Sequence, residues 1–147
     1  MSSLRWGLAI CVLGYLISIV QMPIQKYLGA GFQSGIERMG ALPTWYLAVA
    51  VLTAGIVEEA LYRGYAFHRL AERFGNAYLA GAVVLTAFGA AHIPSWGFGA
   101  SIGITIAGFI PMLVFIWRRD LYAFMIAHVL LDATGLILVP RVFGLKQ

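Results

Sequence analysis

Five long apolar segments constrain this chain more than any other feature of its sequence. They cover residues 6–22, 44–74, 76–92, 96–117 and 121–139. A helix needs roughly 20 apolar residues to cross a bilayer, and only helices and closed barrels satisfy every backbone polar group in lipid. These segments are too long and too uniformly apolar for barrel strands. We therefore predict an all-α, polytopic transmembrane bundle of about five spans, with residues 1–147 forming a single integral-membrane domain.

The composition agrees with a membrane protein. Hydrophobic residues make up 61% of the chain and charged residues only 11%, whereas a soluble domain carries about 25% charged residues. The net charge is +4, but the basic residues lie mostly at segment ends, where they contact lipid headgroups. We therefore expect membrane lipids as partners and no nucleic acid.

Six ionisable side chains lie well inside the predicted spans, away from the helix end that holds His68, Arg69, Glu72 and Arg73, at depths where charge is costly. They are Glu58, Glu59, Arg63, His92, His128 and Asp132. A charged group deep in a bilayer costs roughly 2.5 kcal/mol or more, and such groups usually face the bundle interior and mark a functional site. A structural polar network is the alternative. Six such residues in so short a chain favour the functional interpretation.

Helix geometry separates the two adjacent glutamates. Glu59 precedes Arg63 by four residues, which is the favourable order for an ion pair on a helix. Glu58 points about 100° away from Glu59, given 3.6 residues per turn. We therefore assign Glu59 to a mainly structural pair with Arg63 and leave Glu58 free for chemistry.

The remaining polar residues can be placed by the same reasoning. His128 and Asp132 are four residues apart and share one helix face, while Phe88 lies one turn before His92 and is expected to wall its pocket. Glu58 and His92 are each 17 residues from Gly75. If a turn near Gly75 joins two antiparallel helices, these two residues lie at the same height and face each other. A second turn is expected near Arg119.

Three motifs follow one another along three of the apolar segments. Glu58-Glu59-Ala60-Leu61-Tyr62-Arg63 fits EExxxR, Phe88-Gly89-Ala90-Ala91-His92 fits FxxxH, and His128-Val129-Leu130-Leu131-Asp132 fits HxxxD. Together they resemble the CPBP family of intramembrane proteases. That family comprises CAAX prenyl endopeptidases, bacteriocin-processing enzymes and bacteriocin self-immunity proteins. The resemblance covers residues 44–139 as a protease core, and the short chain is similar to small glutamic-type members associated with C-terminal sorting anchors.

The resemblance implies a role for each matching residue. Glu58 would be the general base that activates water, and His92 and His128 would position that water and stabilise the oxyanion. Asp132 occupies a position where CAAX endopeptidases usually have asparagine. An ionised aspartate cannot donate to an oxyanion, so Asp132 either orients His128 or is protonated in its low-dielectric surroundings. The supporting residues are Glu59, Arg63 and Phe88.

The expected function is hydrolysis of a peptide bond near the membrane surface. The substrate would be a peptide or protein with a membrane-associated segment, either a CAAX-type tail, a leader or a C-terminal anchor. A non-catalytic self-immunity protein on the same scaffold is one alternative. A proton-coupled transporter is another, since chains of Glu, His and Asp also relay protons, but the sequence lacks the internal repeats common in transporters.

This mechanism requires no cofactor, and zinc is the alternative. Glu58, His92 and His128 would then be the ligands, with a water in the open position. The chain lacks HExxH, in which two histidines share one helix face. The sequence therefore favours a metal-free site.

The basic residues also predict an orientation. With five spans, one end of the bundle carries Arg5, Arg69, Arg73, Arg118 and Arg119, and the other carries Lys26, Arg38, Arg141 and Lys146. Cytoplasmic loops carry the excess of Lys and Arg. We therefore expect a bacterial or archaeal plasma-membrane protein with a cytoplasmic N-terminus, an outside C-terminus, and a site that opens towards the Gly75 and Arg119 turns.

Overall fold

The computed structural model describes residues 2–27, 35, 38–39 and 41–142, and all regular structure within these ranges is helical. The main helices are α1 (Ser3–Tyr27), α2 (Thr44–Phe74), α3 (Ala77–Ala91), α4 (Phe98–Arg118) and α5 (Leu121–Val142). A short helical turn, Ile93–Trp96, connects α3 to α4. The predicted all-α bundle is confirmed, and the chain is an integral membrane protein.

The third predicted segment is shorter than the others. In the described part of the chain, four helices are long and apolar enough to cross a membrane, while α3 has 15 residues. At 1.5 Å per residue α3 is about 22 Å long, less than the roughly 30 Å of a hydrocarbon core. It ends at Ala91, close before Pro94, which has no backbone N–H to donate to the carbonyl of Ala90 four residues earlier. The side of the membrane that each end faces stays a prediction, and Lys146 lies outside the described residues.

Both predicted turns are confirmed, and each has a local cause. Gly75 ends α2 in the left-handed region at φ 62°, and the Asn76 side chain then caps α3 by accepting from the backbone N–H of Tyr78 and Leu79. Arg119 ends α4 at φ 54°, and Asp120 caps α5 in the same way. Each short connection makes its two helices antiparallel neighbours.

Small residues bring α1 close to its neighbours. A Cβ on Gly7 would lie 2.8 Å from the Ile126 side chain, and one on Gly14 would lie 2.7 Å from Leu131, both on α5. On α4, the Gly99, Gly103 and Ala107 spacing predicts a packing face. Gly103 does meet α1, where Gln21 donates to the Gly103 carbonyl and Gln25 fills the space of the missing side chain.

Two helices contain π-helical segments that the sequence does not predict. Ala60–Ala66 in α2 begins directly after Glu59, and Ala133–Leu138 in α5 begins directly after Asp132. Such segments, with i→i+5 hydrogen bonds, occur frequently at functional sites. Each π-helical segment therefore begins at the height in the bundle where a polar residue of the proposed site, Glu59 or Asp132, lies.

Gly55 sets the approach of α2 to α5 just before that level. A Cβ on Gly55 would lie 2.5 Å from Val129 Cγ2 and 3.0 Å from the Val129 backbone nitrogen. A backbone atom cannot move aside as a flexible side chain does. Any side chain at position 55 therefore forces the two helices apart.

We predict that Gly55→Ala destabilises the protein by about 1–3 kcal/mol, the usual cost of overpacking a core. The measurement is the melting temperature of the purified protein in detergent. Gly135→Ala in α5 is the matched control, because nothing lies within 4 Å of its Cβ position. Equal melting temperatures for Gly55→Ala and the parent would contradict the prediction.

Candidate active site

His128 lies at the centre of the polar residues that the sequence singles out. Its Nδ1 is 2.9 Å from Oε1 of Glu59. Its Nε2 is 3.5 Å from Oδ2 of Asp132 and 3.9 Å from Oε2 of Glu58. One histidine on α5 thus faces two carboxylates of α2 and one of its own helix. The shared face of His128 and Asp132 is confirmed.

The predicted pair of Glu59 and Arg63 is also confirmed. The two side chains form a direct salt bridge, and the residues are only 2% and 8% exposed. Arg63 lies against the ring of Phe124, with its Cζ 4.8 Å from the ring centroid. Glu59 therefore has two partners, Arg63 and His128. The second partner was missed by sequence reasoning, since helix spacing carries no information about contacts between α2 and α5.

The two adjacent glutamates lie in different surroundings. The side chain of Glu59 is 3% exposed, whereas that of Glu58 is 32% exposed. Asp132 is similarly half-buried. The different orientations of Glu58 and Glu59 that helix geometry predicts are confirmed. Glu58 and Asp132 are the more exposed carboxylates of the site.

His92 has one ring nitrogen engaged. Its Nδ1 lies 2.7 Å from the Phe88 carbonyl oxygen. Because a carbonyl can only accept, Nδ1 carries the proton and Nε2 keeps a lone pair in the neutral ring. The expectation that Glu58 and His92 lie at equal height and face each other stays a prediction. In the described part of the chain no direct hydrogen bond joins these two side chains.

Phe88 forms the apolar wall of both histidines. Its ring centroid lies 4.5 Å from that of His92 and 6.3 Å from that of His128. Tyr62 packs on the other edge of Phe88 at 5.1 Å. The predicted wall is confirmed, and Tyr62, which the sequence analysis did not select, is part of it.

A shallow, open depression of about 420 Å³ lies along one face of α2 and ends at Glu58. Its lining residues are Tyr46, Val49, Ala50, Thr53, Ala54, Val57 and Glu58. They lie within 13 residues of helix, about 18 Å from the first to the last at 1.5 Å per residue. We call this depression the α2 groove. Its lining is mostly apolar, with the hydroxyls of Tyr46 and Thr53 along it and the carboxylate of Glu58 at its end.

The α2 groove runs from Glu58 towards the start of α2, away from Gly75 and Arg119. The expectation that the site opens towards those two turns stays a prediction. The short α3 packs against the second half of α2, while the first half contacts mainly α5. One face of α2 between Tyr46 and Glu58 is left uncovered.

A metal held by Glu58, His92 and His128 would need all three donors to converge on one point. Among the described residues no three His, Cys, Asp or Glu side chains are placed to hold an ion. Nδ1 of His128 faces Glu59, and Nδ1 of His92 faces the Phe88 carbonyl. These contacts occupy Nδ1 of both histidines and leave both Nε2 atoms free, a pattern also seen in metal-ligating histidines. The metal-free site therefore stays a prediction.

A helical membrane bundle that carries a carboxylate and two histidines on neighbouring helices is the arrangement expected of an intramembrane protease. Residues 40–134 match the model of the family described as Type II CAAX prenyl endopeptidase Rce1-like. The match covers more than half of the chain, so the chain belongs to this family. This result agrees with the resemblance inferred from the three motifs. No curated protein and no solved structure matches the chain.

Proposed function

We propose that this protein is a metal-independent intramembrane endopeptidase in which Glu58 activates the attacking water. The observation that carries the proposal is the position of Glu58, which ends the α2 groove and lies 3.9 Å from His128 Nε2. A general base must reach both the water and the substrate. Among the carboxylates of α2, Glu58 faces the groove, while Glu59 is enclosed by Arg63 and His128.

The water is held between Glu58 and His92. Glu58 removes one proton from the water. The free Nε2 of His92 accepts a hydrogen bond from the remaining O–H group. The water oxygen then forms a bond to the scissile carbonyl carbon. When the C–N bond breaks, Glu58 returns the proton to the leaving amine, so that the cycle is balanced.

His128 is the donor for the oxyanion. Its Nδ1–H points at Glu59, and as an imidazolium it also carries a proton on Nε2, which lies between Glu58 and Asp132. Three nearby carboxylates stabilise that cation. A donor that is fixed before the reaction stabilises developing negative charge, a contribution worth several kcal/mol in related hydrolytic sites. Asp132 serves here as an acceptor that orients His128, the role open to an ionised aspartate.

The α2 groove indicates the kind of substrate. It is lined mostly by apolar and small side chains, it is open along its length, and its polar end is the proposed base. An apolar segment of the substrate that lies in the membrane along α2 would bring the following peptide bond to Glu58. The proposed substrate is therefore a peptide with a membrane-associated segment next to the cleaved bond.

We predict that Glu58→Gln lowers the cleavage rate at least about 100-fold, the lower range of general-base contributions, because an amide cannot take the proton from water. The assay uses the purified protein in liposomes with two probes, a farnesylated CAAX peptide and a peptide that carries an apolar C-terminal anchor. The melting temperature should stay that of the parent. Cleavage of neither probe by the parent protein, or full activity of Glu58→Gln, would contradict the proposed function.

Glu59→Gln is the matched comparison at the neighbouring position. It leaves Arg63 buried without its counter-ion, which costs about 3–5 kcal/mol in buried pairs, so its melting temperature should fall. Equal activity losses in the two variants with unchanged melting would show that the roles of the two glutamates are not divided in this way.

Chelation tests the metal-independent chemistry. We predict that cleavage survives dialysis against a strong chelator, because the proposed base, water ligand and oxyanion donor are all side chains of this chain. Metal content is measured on the same samples by elemental analysis. A stoichiometric metal that is lost together with activity and restores activity when added back would overturn this part of the proposal.

Filling the α2 groove tests the substrate path. We predict that Ala54→Phe raises KM by about tenfold, which corresponds to about 1.4 kcal/mol of lost binding, and leaves the melting temperature unchanged. Leu52→Phe is the control, since Leu52 is exposed on the same helix but does not line the groove. A KM that rises equally in both variants, or in neither, would place the substrate elsewhere.

A further inference from the structure

Arg118 is enclosed by two indole rings where α4 ends beside the start of α1. Its Cζ lies 4.4 Å from the ring centroid of Trp6 and 5.4 Å from that of Trp117. The two indoles contact each other edge to face at 5.7 Å. Stacking on aromatic rings suits the planar guanidinium. The group is thus fixed in orientation by residues of two different helices.

Among the described residues no acidic side chain neutralises the charge of Arg118. Within the described ranges it forms no ion pair, and its buried Nε lacks a hydrogen-bond partner, as does the buried Nε1 of Trp6. The nearest acid in sequence, Asp120, is engaged as the cap of α5. Its neighbour Arg119 lies over the ring of Phe67 at 4.5 Å and is likewise outside any ion pair of the described residues.

We propose that this arginine–indole cluster, formed by Trp6, Trp117, Arg118 and Arg119, binds the phosphate headgroup of an anionic phospholipid. A guanidinium presents two parallel N–H groups that match phosphate oxygens. The Nε edge of Arg118 is buried, so its terminal nitrogens are the ones that meet the ligand. Bound phosphate supplies the negative charge that the surrounding side chains do not.

The surface beside the cluster fits the rest of a lipid. Trp117 is 70% exposed, and Leu113 and Ile110, one and two turns further along the same helix, are also exposed. Indoles concentrate at membrane interfaces, with the apolar ring at headgroup level. A phosphate on Arg118 therefore places an acyl chain along an apolar strip of α4. Inorganic phosphate would bind the guanidinium of Arg118 but would make no contact with this apolar strip.

The site is distinct from the proposed active site. Arg118 and Trp6 lie at the end of the bundle that carries the Arg119 turn, whereas the α2 groove extends towards the opposite end. Trp6 also lies outside residues 40–134, the part of the chain that matches the family. Lipid binding and proteolysis can therefore fail independently of each other.

Lipid binding to the full-length protein in detergent tests the proposal by native mass spectrometry. The probes are dioleoyl phosphatidylglycerol, dioleoyl phosphatidylcholine and inorganic phosphate. We expect tighter binding of phosphatidylglycerol than of phosphatidylcholine, and a loss of about fivefold in phosphatidylglycerol affinity in Arg118→Gln, the effect of one basic residue near an anionic headgroup. Arg69→Gln is the control, because Arg69 is exposed and paired with Glu72.

Arg118→Lys provides a second variant that keeps the charge and removes the planar stacking. It should weaken phosphatidylglycerol binding less than Arg118→Gln and more than Arg69→Gln. Equal losses in Arg118→Gln and Arg69→Gln, or equal binding of the two lipids, would overturn the proposal in favour of general surface attraction. Displacement of the lipid by millimolar inorganic phosphate would overturn the lipid as the ligand and leave phosphate itself.

Discussion

The buried carboxylate of Glu59 joins two helices through two partners, Arg63 on its own helix and His128 on α5. Removing charged groups from water is costly, and the cost is offset only when each charge finds a close partner of opposite sign. Glu59 meets that condition because Arg63 and His128 both contact its carboxylate. Because it fixes one nitrogen of His128, the other nitrogen is directed at Glu58 and Asp132, so the geometry of the proposed site depends on a residue that does not itself face the groove.

Contacts within a helix are the part of the site that the sequence predicts. The Glu59 and Arg63 pair, the shared face of His128 and Asp132, and the packing of Phe88 on His92 all follow from four-residue spacing. The hairpin turns at Gly75 and Arg119 follow from local turn chemistry. These features require no knowledge of how the helices pack against one another.

Contacts between helices needed the structure. The bond between Glu59 and His128 joins residues 69 positions apart, and hydrophobic patterning is too uniform in these segments to fix the rotation of one helix against another. The predicted segment 76–92 matches α3 with its two capping residues, Asn76 and His92. The packing of α3 against only the second half of α2 could not be read from the apolar pattern. The family match over residues 40–134, in contrast, is independent of such details.

The π-helical segment of α2 has a consequence for how this helix can change over evolution. Widening a helical turn by one residue offsets every later side chain around the helix axis, so the first half of α2 faces α5 while the second half packs against α3. Loss of a single residue between Ala60 and Ala66 would restore an ordinary helix with all its backbone bonds. The same loss would turn one half of α2 away from its neighbour. The number of residues in this stretch is therefore constrained as well as the identity of Arg63, and an alignment gap there would mark a chain whose two helix pairs no longer meet at a common site.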